Sequence, residues 1–328
     1  MPKKIIINKT GGPEVLEYID YELTNEIDPN NVRIKQSSIG LNYIDTYHRS
    51  GIYPLPQSLP VCLGIEGAGE IILLGKNAKE FKIGDRVCYA SPPLGAYSEV
   101  RDFPKDKLIK IPDFISNDHA AAVILQGMTV EYLFKRLYKI KKDENILFHA
   151  AAGGVGLIAC QWARYIGCNL IGTVSSDEKA ELAKKNGCTH VINYKKEDVV
   201  KKVLDITNGI GVPVVYDGVG KDTFEISLKS LSLRGLFVSF GQSSGMIKDV
   251  NLHQTFNPKS LFYTRPTLMH YNNTREELDE SSNNIFELVK NKKILINLSK
   301  TYSLKDSALA HKDLQSRKTT GSIILKTE

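Results

Sequence analysis

Apolar residues follow two different rhythms along this chain. Up to about residue 112 they come in short runs broken by Gly and Pro: Lys4 to Asn8, Val32 to Ser37, Gly69 to Leu74, Arg86 to Tyr89 and Lys107 to Ile111. Runs of that length predict β-strands with few helices between them. From Asn117 to Ile140 the spacing changes, and Ala120, Ala121, Val123, Ile124, Met128, Tyr132, Leu133 and Leu137 make a helical stripe. Beyond Glu144 strand and helix alternate. Strands are expected at Asn145 to Phe148, Asn169 to Val174, His190 to Ile192, Val212 to Asp217 and Gly235 to Phe240. Helices are expected between them, at Leu157 to Ile166, Glu178 to Asn186, Asp198 to Thr207 and Thr223 to Leu231. Such a series predicts an α/β fold with a doubly wound parallel sheet. A polar helix from Arg275 to Lys290 follows, then Lys293 to Leu298, Ser307 to Arg317 and Gly321 to Lys326. The closing strands have no partner in the βα series, so they are expected to return to the β-rich first domain and make it discontinuous.

The segment Phe148-His149-Ala150-Ala151-Ala152-Gly153-Gly154-Val155-Gly156 lies between a predicted strand and a predicted helix. A dinucleotide fingerprint needs that context more than it needs every glycine. Ala151 replaces the first glycine of G-x-G-x-x-G, Gly153 lets backbone approach a diphosphate, and Gly156 lets helix and strand pack closely. The helix N-terminus then offers unpaired N–H groups and a partial positive charge. At the end of the next strand an NAD site carries a carboxylate for the ribose hydroxyls, and this chain has Ser175-Ser176 there. Two hydroxyls, Lys179 one turn on and Tyr194 downstream suit the 2′-phosphate of NADPH. Asp177 and Glu178 argue the other way, unless they only start a helix.

Composition narrows the class further. The 328 residues are 42% hydrophobic and 24% charged, enough for about two globular domains and too apolar for disorder. Lys and Arg number 43 against 37 Asp and Glu, a net +6 that permits an anionic ligand without a nucleic-acid recognition pattern. Cys62, Cys88, Cys160, Cys168 and Cys188 are odd in number and lack metal-site or disulfide spacing, which fits a reducing compartment. Met1 to Thr10 has no apolar core of signal-peptide length. Cytoplasmic residence is the expectation.

At this point the residues resemble the zinc-independent quinone oxidoreductases, the ζ-crystallin-like branch of the medium-chain dehydrogenase/reductase superfamily, and within it the bacterial NADPH:quinone reductases. The resemblance runs nearly end to end. It rests on Gly11-Gly12-Pro13-Glu14-Val15-Leu16, the block from Gly40 to Tyr47, Gly51-Ile52-Tyr53-Pro54, Gly84-Asp85-Arg86-Val87, the Ala150 to Gly156 loop, Val215-Tyr216-Asp217 and Phe240-Gly241. It implies a GroES-like substrate domain, residues 1–126 and 267–328, a Rossmann NADPH-binding domain, 127–266, and a cleft between them. It also implies a homodimer joined at Ser260 to Thr264. By resemblance Asn42 and Tyr47 serve the nicotinamide, Tyr53 the substrate, and Thr129 the cofactor. Ala152, Gly153, Gly154 and Val155 hold the diphosphate, Phe240 and Gly241 lie on the nicotinamide side, and Arg317 lies near a phosphate or the cleft.

Zinc alcohol dehydrogenases carry Cys where this chain has Asn42, and Gly-His-Glu where it has Gly64-Ile65-Glu66. Two of three catalytic ligands are thus replaced, and the structural-zinc cysteines are missing between Arg86 and Tyr97, so no metal is expected. Glu66 then reads as a buried, hydrogen-bonded carboxylate. Alcohol oxidation without zinc loses its acid. A quinone is already electron-poor, so positioning and hydrogen bonding can suffice. The expected function is NADPH-dependent quinone reduction by hydride or single-electron transfer, with Tyr53, Asn42 and Tyr47 as catalytic candidates. An alkenal or 2-enoyl-thioester reductase, with Tyr53 as proton donor, is the alternative. A nucleic-acid-binding or scaffold protein is a third reading. His149 is expected to pack and to make a backbone hydrogen bond, and His48 to be a surface neighbour.

Overall fold

The computed structural model describes residues 1–327. The first part of the chain runs β1 (Lys3–Ile7), β2 (Glu17–Asp20), β3 (Asn31–Leu41), α1 (Tyr43–Ser50), β4 (Val61–Cys62), β5 (Glu66–Leu74), β6 (Arg86–Ala90), β7 (Val100–Pro104), β8 (Ile109–Lys110) and α2 (Asn117–Glu131). Then come β9 (Asn145–Phe148), α3 (Gly154–Ile166), β10 (Asn169–Val174), α4 (Asp177–Lys185), β11 (His190–Asn193), α5 (Val199–Ile206), β12 (Val212–Asp217), α6 (Phe224–Ser230), β13 (Leu231–Ser239), α7 (Leu252–Phe256), β14 (Phe262–Thr264) and α8 (Leu268–Tyr271). The chain closes with α9 (Arg275–Lys290), β15 (Leu298–Ser303), α10 (Ser307–Gln315) and β16 (Ser322–Lys326). These elements form two compact units: Met1–Met128 with Asn272–Lys290 and the chain from Ile296 onward, and Thr129–Tyr271 with Asn291–Leu295.

In the first unit β3 is the spine. It pairs antiparallel with β5, β7 and β16, which is why it runs to Leu41 rather than stopping at Ser37. The larger sheet has the order β15-β16-β3-β5-β6-β8 with β7 added on β3, and a small sheet has the order β2-β1-β4. The last strand therefore completes the sheet of the first part of the chain. The segment before it differs from the sequence reading: β15 begins only at Leu298. The backbone N–H and C=O of Leu295 are bonded instead by the side chain of Gln161, leaving no ladder for a strand there.

The second unit holds a parallel sheet in the order β11-β10-β9-β12-β13-β14. Counted from its own first strand this is 3-2-1-4-5-6, with the reversal of direction between β9 and β12, where such folds bind their ligands. Leu147, Ile171, Val212, Val215 and Phe237 from the strands pack with Val199, Val203 and Leu228 from α5 and α6 in a fully buried core. The helix that sequence spacing carried to Ile140 is α-helical only to Glu131. Tyr132–Leu137 widens into a π-helix, a local insertion that the 3.6-residue period cannot reveal.

Candidate functional site

The turn from β9 into α3 is built as an anion site. Ala150 adopts the left-handed region, φ +57°, and its carbonyl accepts the N–H of Gly153 at 3.0 Å, while Ala151 N–H bonds Thr173 C=O at 3.0 Å. Helix α3 then starts from Gly153 as N-cap, with no side-chain cap and no acidic residue in its first turn. The first N–H groups of a helix have no partner within it, so this terminus keeps its donors and its positive end for a ligand. A Cβ on Gly156 would lie 2.4 Å from Ala150 O, so only glycine allows the helix to sit this close to the loop. Ala152 is buried and Gly153, Gly154 and Val155 are half-buried along the same turn. These features fit a dinucleotide diphosphate.

The next helix starts differently. Ser176 is the N-cap of α4, and its Oγ accepts the Lys179 N–H at 3.3 Å. Its hydroxyl also holds the exposed Glu178 carboxylate below the usual range. Of the two hydroxyls assigned to a 2′-phosphate, that of Ser176 is thus already engaged in the cap, and Ser175 stands half-buried at the strand end. The Lys179 side chain is half-buried, and burial together with nearby Lys195 lowers its pKa. Tyr194 follows β11, with its N–H on Val174 C=O at 3.1 Å. Asp177, the counter-argument against a phosphate, is taken up by a salt bridge to Lys196 and accepts from Asn193 Nδ2 at 2.9 Å. Lys195 is a cation that the sequence reading missed, and its adjacency to Tyr194 was the available signal.

At the other end of the sheet the Phe240–Gly241 turn is pinned from both sides. Phe240 N–H and Gly241 N–H bond Asp217 C=O at 2.9 and 3.3 Å. Arg265 reaches Ser239 C=O at 3.1 Å and Gln242 Oε1 at 2.9 Å. The Phe240 ring lies 5.6 Å from that of Phe148 at the end of β9. Thr129, 8% exposed, is on α2.

In the first unit, Asn42 caps the start of α1. Its backbone N–H donates to Asp45 Oδ2 at 2.9 Å, its side-chain amide donates to Glu66 Oε2 at 2.6 Å, and its Oδ1 accepts from Gln126 at 3.4 Å. One amide N–H of Asn42 remains for a ligand. Glu66, fully buried, also accepts the Leu125 N–H at 2.8 Å. Burial pushes its carboxyl up to about 8, against those two donors. The Tyr47 ring is 5.1 Å from that of Tyr53, whose N–H bonds Tyr47 C=O at 3.1 Å. Arg317 is exposed just beyond α10, φ +57°. Its charge is felt by Tyr43, whose hydroxyl bonds Leu314 C=O at 3.0 Å. His48 is buried, 9% exposed, because the last turn of α1 packs inward, so it is not the surface residue the sequence suggested.

Beneath α1 runs a chain the sequence reading did not find. Arg49 bonds His311 Nδ1 at 2.9 Å, His311 Nε2 bonds the Tyr97 hydroxyl at 2.8 Å, and that hydroxyl donates to Asp45 Oδ2 at 3.0 Å. Burial pushes Asp45 up to about 7, and burial with the Arg49 charge pushes His311 down to about 3. Asp45 and Arg49, four apart on one helix, were the only local hint. Among the described residues no group of three His, Cys, Asp or Glu side chains is placed to hold a metal ion.

A 3-2-1-4-5-6 sheet whose α3 starts from a glycine with no side-chain cap defines a dinucleotide-binding domain. The comparisons make the class specific. The model for the GroES-like domain of alcohol dehydrogenases matches residues 28–113, and that for zinc-binding dehydrogenases matches residues 154–288. Quinone oxidoreductase of Pseudomonas aeruginosa is 50% identical over 99% of both chains. The crystal structure of Escherichia coli quinone oxidoreductase complexed with NADPH superposes with a TM-score of 0.96 at 49% identity, covering 99% of each chain. A 2-haloacrylate reductase from Burkholderia is 42% identical over 98% of this chain and 97% of its own. The chain belongs to the quinone oxidoreductase family of the medium-chain dehydrogenase/reductase superfamily.

Proposed function

We propose that this protein is an NADPH:quinone oxidoreductase that works without zinc. The observation that carries the reading is the N-terminus of α3, left open by a Gly153 cap with no side-chain partner, in a chain half identical to curated quinone oxidoreductases. When bound, NADPH supplies a hydride from its nicotinamide, and with one proton a quinone becomes a hydroquinone. The first-turn N–H groups of α3, with Ala152, Gly153, Gly154 and Val155, hold the diphosphate. Ser175, Lys179 and Tyr194 take the 2′-phosphate end, with Ser176 capping the helix that carries Lys179 and Lys195 adding positive charge. Thr129, Phe240 and Gly241 frame the nicotinamide half, and Arg317 meets a phosphate. The free N–H of Asn42, with Tyr47, orients the nicotinamide amide or polarises a substrate carbonyl. Tyr53, its ring tilted against that of Tyr47, donates a hydrogen bond to the substrate oxygen or passes it a proton from water, which stabilises the oxyanion as it forms.

We read the domains as a GroES-like substrate domain of residues 1–126 and 267–328 around a Rossmann domain of 127–266. The exposed edge strand β14, with Phe262 61% and Tyr263 48% exposed, suits a homodimer joined sheet to sheet. A monomer in sedimentation at micromolar concentration would refute that. No described helix is long and apolar enough to cross a membrane, and five free cysteines fit a cytoplasmic enzyme. Recovery of the protein outside the cytosolic fraction would contradict this.

The 2-haloacrylate reductase similarity favours one second reading, reduction of an activated C=C bond with Tyr53 as proton donor. The deciding experiment is steady-state NADPH oxidation by metal-free protein, with 1,4-benzoquinone and 9,10-phenanthrenequinone beside 2-chloroacrylate, trans-2-hexenal and crotonyl-CoA. Preference for the quinones is expected. Preference for the alkenes would replace the first reading by the second, and no turnover of any would refute both.

A further inference from the structure

The unit that carries the phosphate loop contains a buried hydrogen-bond chain which the cofactor reading leaves without a role. His149, 1% exposed at the end of β9, places Nδ1 3.0 Å from Thr173 Oγ1 on β10 and Nε2 3.0 Å from Ser227 Oγ on α6. Sequence reasoning assigned it packing and a backbone bond, yet both ring nitrogens meet hydroxyls. Ser227 Oγ donates to Asp217 Oδ2 at 2.9 Å, which commits its one proton. It must therefore accept from His149 Nε2–H, and Nδ1 accepts from Thr173. Burial keeps the imidazole neutral by lowering its pKa, in agreement with that single tautomer.

Asp217 extends the chain. Its Oδ2 also accepts the Thr223 hydroxyl at 2.7 Å, and Oδ1 accepts the N–H groups of Val219 and Gly220 at 2.7 and 2.9 Å. Its backbone carbonyl receives Phe240 N–H and Gly241 N–H. The turn after it packs under the same pair, for a Cβ on Gly241 would meet Gly218 O at 2.7 Å. One continuous chain thus runs from Thr173, two residues before Ser175, to the Phe240–Gly241 turn, and crosses the ends of β9 and β12 on the way.

We propose that His149 is a positioning residue which, through Ser227 and Asp217, fixes the distance between the β10 end bearing Ser175 and the Phe240–Gly241 turn, so that both halves of NADPH are gripped together. This rests on the NADPH reading above. A dinucleotide held at both ends gains affinity from the second contact only if the two subsites sit at the right spacing. A ligand that fills one subsite does not sense that spacing.

The test compares a whole ligand with its half. Affinities for NADPH and for 2′,5′-ADP are measured by calorimetry on the wild type and on His149→Ala and Ser227→Ala. The expected result is NADPH binding weakened by about 10-fold with 2′,5′-ADP binding changed by less than about twofold. His149→Gln, whose amide can again donate to Ser227, should recover most of the NADPH affinity. Equal weakening of both ligands would mean local damage to the adenosine subsite and would overturn the proposal, as would no change in either. If His149→Ala does not fold, Ser227→Ala keeps the imidazole, removes one hydroxyl and carries the same comparison. Failure of the wild type to bind NADPH would instead refute the cofactor reading, and this role with it.

Discussion

Helices α3 and α4 follow neighbouring parallel strands in one sheet, yet their first turns are finished in opposite ways. At α4 the chain supplies its own cap: Ser176 Oγ accepts a first-turn N–H, and Asp177 and Glu178 put negative charge at the positive end. At α3 it withholds all of this, with a glycine cap and no first-turn acid. An isolated helix finished like α3 is less stable than one finished like α4, because a serine or aspartate cap satisfies donors that glycine leaves open. The difference marks the start of α3 as the one on which the proposed diphosphate site rests. The two helix starts have separate tasks in the proposed site, diphosphate at α3 and the 2′-phosphate end beside α4.

The comparison can be broken most severely by making α3 look like α4. Gly153→Asp would put a carboxylate at the open terminus, and its Cβ would lie 3.3 Å from Ala150 O, close enough to need only a small adjustment. The carboxylate would satisfy the donors and repel the diphosphate. Like charges brought together cost several kcal/mol, so NADPH affinity should fall on the order of 100-fold. Thermal unfolding of the free protein should show no loss of stability beyond what the adjustment costs. Retained affinity in a calorimetric titration would mean that the diphosphate binds elsewhere.

A smaller effect sharpens the α4 side. Lys179 is half-buried beside Lys195, and a charge-assisted contact to phosphate is worth about 2 kcal/mol. Lys179→Ala should therefore reduce kcat/KM with NADPH by about 10-fold or more while leaving NADH nearly unchanged. An unaltered ratio of the two would remove Lys179 from the 2′-phosphate account.

How far these features could be read from the chain depended on whether their causes were local. The βα series was legible because strands such as β9 and β12 are apolar runs and helices such as α5 are amphipathic. Strand β7 was not, since its inward positions include Arg101, buried beneath Tyr89 and bonded to Pro93 C=O, and a charge on the inner face erases the alternation. Strand β2, Glu17–Asp20, has no buried residue to mark it. In the site, the glycine loop is a contiguous motif and stood out. The Thr173, His149, Ser227 and Asp217 chain joins residues from four elements, and Arg49, His311, Tyr97 and Asp45 are united across more than 260 positions of sequence. No spacing rule reaches that far. The role of Ser176 also needed coordinates, because a serine before Asp-Glu reads equally as a phosphate donor or as a helix cap.

That ambiguity sets the smallest of the expected effects. Ser176→Ala removes the bond to the Lys179 N–H and should destabilise the free protein by about 1 kcal/mol, as loss of an N-cap does. Because the hydroxyl is already committed to the cap and to Glu178, the ratio of NADPH to NADH efficiency should change by less than about threefold, less than one hydrogen bond to a charged group would give. Chemical denaturation and steady-state kinetics on the same sample separate the two quantities. Loss of NADPH preference as large as that in Lys179→Ala would show that the hydroxyl leaves the cap to meet the phosphate. The start of α4 would then be open to the ligand in the same sense as that of α3, and the contrast between the two helices would reduce to the identity of the capping residue.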